Sequence, residues 1–174
     1  NTDAGVALTD ITVAKTGDSN GGDNCNFYGL NAALLAMGGT TTTITGATIT
    51  SDADGANGVF SYGGNGGRNG AAGDGTTVVI SDSNITTTGD GSGGIMTTGG
   101  GVTYANDLTV ETSGRSSAAI RTDRGGGTVV VDGGSYTMGF GYAAVLAAQK
   151  LEMGMDVGEV LELAKGQLQR QAIL

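Results

Sequence analysis

"SSAAIRTDRGGGTVVVDGG", residues 116–134, decides how this chain is read. Two small residues precede an apolar Ile120, alternating positions follow, and a glycine run then leads into the strand-like "TVVV". The same template, small-small-apolar-x-small-x, recurs in "NAALLAMGG" (31–39), "NGVFSYGG" (57–64), "SGGIMTTGGG" (92–101) and "YAAVLAAQ" (142–149). Its apolar anchors are Leu34, Val59, Ile95, Ile120 and Val145, separated by 25, 36, 25 and 25 positions. A fixed period of this length marks a stacked-repeat architecture. The one longer interval contains "GNGGRNGAAGD" (64–74), which reads as a glycine-rich loop inserted into one repeat.

Between anchors lie pairs of strand-like runs: "TTTIT" with "ATIT", "TTVVI" with "NITTT", "VTYAN" with "DLTVE", and "TVVVD" with "GSYTM". Val, Ile and Thr favour the pleated backbone because a branched β-carbon suits a half-buried sheet. Three short strands per repeat, punctuated by Gly, Asp and Asn, describe one coil of a parallel β-helix. Each coil would pair with the next at a rise of about 4.8 Å. Hexapeptide-type left-handed solenoids use shorter coils of roughly 18 residues, so the right-handed form is expected. The expected fold is therefore all-β: a right-handed parallel β-helix of about five coils over residues 1–141, with an α-helical tail or cap at 142–174.

Composition agrees. Of 174 residues, 35 are Gly and none is Pro, His or Trp, and charged residues are only 14%. Proline would interrupt a hydrogen-bonded ladder, so its absence fits. The net charge of −9 argues against nucleic acid or an anionic membrane surface as a partner. No stretch is long and apolar enough to span a bilayer. The single Cys25 has no internal disulfide partner, and the lack of His removes His-based triads. Asn1, with no leader ahead of it, is expected to open a mature or trimmed chain.

From about Leu8 to Met138, in segments such as "DGSGGIMTTGGG" and "AAIRTDRGGGTVVVDGGSYTM", the chain resembles right-handed β-helix repeats of bacterial adhesin-like and polymorphic outer-membrane proteins. These belong to the broader pectin-lyase-like superfamily. The resemblance implies the fold and a secreted or cell-surface setting. It implies no single activity, since that superfamily holds lyases, adhesins and inert stalks. The helical ending departs from its pattern.

Strand alternation sorts the template into two faces. The anchors point inward, with Ala36, Ser61, Thr97, Thr122 and Ala147 two positions on. Leu35, Phe60, Met96, Arg121 and Leu146 point outward, and Met37, Tyr62, Thr98, Asp123 and Ala148 form the next outward column. The opposite phase would bury Arg121 and Asp123 in an apolar bore at high cost. A contiguous apolar stripe on an outer face calls for a cover. Leu35, Phe60, Met96 and Tyr62 are thus expected to form a helix-packing or partner surface. The tail offers a cover: Asp156 stands as N-cap with Glu159 three positions later. Val157, Val160, Leu161, Ala164, Leu168 and Ala172 share one helical face.

Three constellations could carry chemistry. Arg121, Asp123 and Arg124 form a charged cluster able to bind an acidic or hydroxyl-rich ligand, since arginine presents a planar fork of donors beside an acceptor. A salt-bridge ladder between coils explains the same residues. Asp52, Asp54 and Asn57, within "SDADGANG", resemble half of a calcium loop without its later Glu, and tight turns explain the same residues. No other cofactor is expected. The threonines permit an ice-binding reading, although their ranks drift along the sequence. The expected function is a non-enzymatic extracellular module whose wall binds a glycan, a partner protein or another copy of itself. The alternatives are a carbohydrate-active, lyase-like β-helix and an ice-binding protein.

Overall fold

The computed structural model describes residues 5–65, 72–132, 150 and 154–170. Two compact units divide the chain, Asn1–Val131 and Asp132–Leu174. In the first, the strands are β1 (Val6–Thr9), β2 (Thr12–Lys15), β3 (Leu34–Met37), β4 (Thr41–Thr45), β5 (Thr48–Ser51), β6 (Val59–Tyr62), β7 (Thr77–Thr87), β8 (Ile95–Thr98), β9 (Gly101–Thr112), β10 (Ile120–Thr122) and β11 (Gly127–Asp132). One short helix, α1 (Asp23–Tyr28), lies between β2 and β3. The fold is all-β and its registered strand pairs are parallel.

A four-stranded sheet runs β10-β8-β6-β3. Its register places Leu34 opposite Val59, Val59 opposite Ile95, and Ile95 opposite Ile120. Four of the five anchors therefore stand in one file; the fifth, Val145, lies outside the described residues. A seven-stranded sheet runs β1-β4-β7-β5-β2, with β9 on β7 and β11 on β9. β7 and β9 each join what the sequence suggests are two strands. Asp82 and Asp107 bend them without breaking them, each in the left-handed region at φ 50°. In the rungs before, Asp10 (φ 51°) and Gly46 (φ 69°) hold the same conformation at the register-equivalent corner.

The core lies between the two sheets. Val59 and Ile95 meet Ile44, Ile49, Val78, Ile80 and Ile85, all at most 1% exposed. Each such side chain contributes about 1.5–3 kcal/mol on burial. Small polar residues that face inward find partners there. The Thr97 and Thr103 hydroxyls pair at 2.7 Å, and the Ser61 hydroxyl donates to the Val102 carbonyl at 3.1 Å. Alternation predicts this inward set correctly through β8. At β10 the file opens, and Ile120 is 37% exposed.

The rung-to-rung offset reveals a second detour. Between β7 and β9 it is 25 positions (Thr77 to Val102), but β4 to β7 is 36 (Thr41 to Thr77), and so is β1 to β4 (Val6 to Thr42). Each longer step adds eleven residues without changing the register. The later detour holds the glycine-rich loop; the earlier one holds α1.

In the second unit, α2 (Val157–Arg170) starts where its capping residue predicts. Asp156 Oδ1 accepts from the Gly158 amide at 2.8 Å and the Glu159 amide at 3.4 Å. Burial centres on Val160, 2% exposed, whereas Val157 and Leu161 are 61% and 54% exposed. The expected apolar face is thus only partly covered. Residues 142–149, read as either a fifth coil or a helix, lie outside the described ones.

Candidate functional site

Phe60 and Met96 point away from the core, yet they are 0% and 3% exposed. The cover of Phe60 is the α1 segment, where the sequence reading looked to the C-terminal tail. Gly29 ends α1 in the left-handed conformation (φ 73°), and a β-carbon there would stand 2.6 Å from Phe60 Cγ and 2.9 Å from Leu35 Cδ1. Only glycine meets both demands. Tyr28 stacks edge-on against Tyr62 with ring centroids 5.5 Å apart. The Thr98 hydroxyl donates to the Phe27 carbonyl at 2.7 Å. Leu35, Phe60 and Tyr62 therefore meet the α1 segment of the same chain.

The charged cluster belongs to this lid. Arg124 pairs with Asp23 at 2.6 Å and lies over the Phe27 ring at 4.1 Å. Arg121 pairs with Asp123 and also stands over Phe27, at 5.8 Å. The hydrogen bond from Arg124 to the Asp23 carboxylate raises the guanidinium pKa above its usual value. Neither expectation for these residues described this arrangement. They join the rung at β10 to a helix about a hundred positions earlier, as an ion pair and a cation–π clamp.

Asp74 closes the glycine-rich detour. Burial works against its charge, but the Thr76 hydroxyl (2.6 Å) and amide (2.9 Å), its own amide and that of Gly38 outweigh this and lower its pKa. Nearby, burial raises the Tyr62 phenol pKa, helped by Tyr28 and Asp74.

Asp54 and Asn57 are each engaged by a backbone amide. Asp54 Oδ1 accepts the Asp90 amide at 2.7 Å, and Asn57 Oδ1 accepts the Gly93 amide at 2.9 Å. Asp52 is exposed, and its amide donates to the Lys15 carbonyl. Asp54 also belongs to a file. Asp18 Oδ1 accepts the Asp54 amide, Asp54 that of Asp90, and Asp90 that of Arg115. Among the described residues, no three His, Cys, Asp or Glu side chains gather to hold a metal.

Nothing among the described residues covers the outer face of the seven-stranded sheet. Register aligns Thr12, Thr48, Asn84 and Thr109 in one file, and Ala14, Thr50, Thr86 and Glu111 in the next, all exposed. The threonine ranks that drift in the sequence are in step once both eleven-residue detours are taken out. A groove of about 340 Å³ on this face, with more apolar than polar lining, lies between Ala14, Lys15, Thr16, Thr50, Asp52 and Thr86. No helix of the described residues is long and apolar enough to cross a membrane. No family model, curated protein or solved structure matches the chain.

Proposed function

We propose that this chain is a right-handed parallel β-helix acting as a non-enzymatic, extracellular adhesive module, with the threonine wall as its glycan-binding surface. Support for the fold comes from parallel strands that return to one register every 25 or 36 residues. The observation that carries the function is the pair of exposed files, four rungs deep, of short and mostly uncharged side chains. A wall with a regular repeat suits a partner that is itself repetitive, and Thr and Asn supply both donors and acceptors for hydroxyl groups. The resemblance to adhesin-like repeats points the same way, including a secreted or surface setting. Arg121 and Asp123, the residues a lyase reading would need, are engaged with each other and with the lid.

The test is retention on insoluble polysaccharides. The wild-type chain should co-sediment with at least one of a panel, and Thr50→Arg with Thr86→Arg should abolish retention without lowering the thermal midpoint by more than a few degrees. Retention unchanged by that double variant would overturn the reading. The same files favour one other reading, a surface that orders water at ice. Ice-growth inhibition lost in the same variant, with no polysaccharide retained, would select it.

A further inference from the structure

We propose that the groove beside α1, at the turn leading from the seven-stranded to the four-stranded sheet, is a subsite for one neutral sugar residue. This rests on the glycan reading of the module but uses different residues. The groove holds about 330 Å³ and is lined by Asn26, Asp54, Asp90, Arg115 and Ser116, with Cys25 at its base. That volume lies at the small end of ligand sites and suits a single ring more than a long chain.

The chain breaks its own pattern here. Asp54-Gly55 and Asp90-Gly91 occupy this turn in two successive rungs, and the next rung substitutes Arg115-Ser116. Ser116 keeps the left-handed backbone of the glycines it replaces (φ 58°), which a side chain adopts only at a cost. Arg115 Nη2 meets Asp90 Oδ2 at 2.9 Å, while its amide donates to Asp90 Oδ1 at 2.7 Å. The carboxylates are thereby fixed by backbone before any ligand arrives.

Asn26 adds the free donor and acceptor. Its Oδ1 stands 3.2 and 3.1 Å from where β-carbons on Gly55 and Gly91 would be, so those glycines make room for it. Among the described residues nothing hydrogen-bonds the Asn26 carboxamide, and Asp54 Oδ2 is likewise without a partner. The Arg115 guanidinium carries N–H groups beyond its bond to Asp90, so the groove lining offers donors and acceptors together. Adjacent hydroxyls on a sugar ring call for both, since each donates and accepts. An acidic sugar is disfavoured, because Asp54 and Asp90 outnumber Arg115 and Asp18 lies just behind, accepting the Asp54 amide at 2.8 Å.

Saturation-transfer NMR of the full chain with methyl glucoside, galactoside and mannoside, and with glucuronate, tests this. At least one neutral glycoside should give a saturable signal that glucuronate does not match. Asn26→Ala and Arg115→Ala should each weaken it about tenfold, the loss of one or two hydrogen bonds in a small site. Arg115 has 84% of its side chain exposed, so its variant folds even if Asn26→Ala does not. The Thr50→Arg, Thr86→Arg variant should leave this signal intact, which separates failure of the groove from failure of the wall. No signal from any neutral glycoside, preference for glucuronate, or a signal indifferent to both alanine variants would each overturn the proposal.

Discussion

Two outer faces of the same repeat have opposite fates. On the four-stranded sheet, the outward column runs Leu35, Phe60, Met96, Arg121; α1 packs over Phe60, and Phe60 and Met96 are as dry as the core. On the seven-stranded sheet, the outward files are threonine-rich and nothing among the described residues covers them. Backbone pairing is the same in both. The side chains alone decide which wall becomes interior and which remains available for binding, so inside and outside in this fold are assigned face by face, beyond simple strand alternation.

The contrast breaks most sharply at Phe60. Phe60→Ala removes a ring that is fully buried between a sheet and its lid, and chemical denaturation should show a loss of about 3–5 kcal/mol. Thr86→Ala on the bare wall should stay within about 0.5 kcal/mol. Equal losses at the two positions would mean that α1 does not seal its face. A smaller effect is expected at the clamp. Arg124→Ala should lower the thermal midpoint and speed amide exchange across α1, and added salt should shrink the difference from wild type, since the pair with Asp23 is exposed.

The smallest effect sits at Asp74, in the segment that joins β6 to β7. Its carboxyl titrates below the usual value when folded, so the charged form is favoured by folding. That contribution is fully present above the unfolded pKa, about 4, and is lost as pH falls through the folded pKa. The stability gap between wild type and Asp74→Asn should therefore hold at neutral pH and narrow below about pH 4. A gap unchanged down to pH 2 would mean that the Thr76 contacts do not depend on charge.

Much of this was legible in the sequence, and the limits are physical. The anchors Leu34, Val59, Ile95 and Ile120 are readable because burying a core demands apolar residues at fixed phase. The need for a cover over Phe60 and Met96 is readable for the same reason. Which segment provides it is not, because "DNCNFY" is too short to show helical periodicity and its hold depends on Arg124, about a hundred positions away. A signal did exist: "TDITVA" (9–14) and "TGATIT" (45–50) align 36 positions apart. That offset betrays an eleven-residue detour ahead of the first anchor. The groove at Asp54 and Arg115 stays hidden because its Asp file looks like ordinary turn chemistry until the amides it receives are located. The α2 face is overestimated, since equal hydrophobicity at Val157 and Val160 does not say which of them is covered.

The two eleven-residue detours carry a practical corollary. Rungs on either side of each one stay in step, because the cross-strand bonds fix the ladder and the excursion lies outside it. Closing a somewhat longer excursion costs only a slowly growing entropy. The junction at Gly63 and Asp74, where the Asp74 amide returns to the Gly63 carbonyl at 2.8 Å, is accordingly a natural docking port for grafted cargo. A foreign peptide spliced there would be displayed while the strand register on either side stays unchanged.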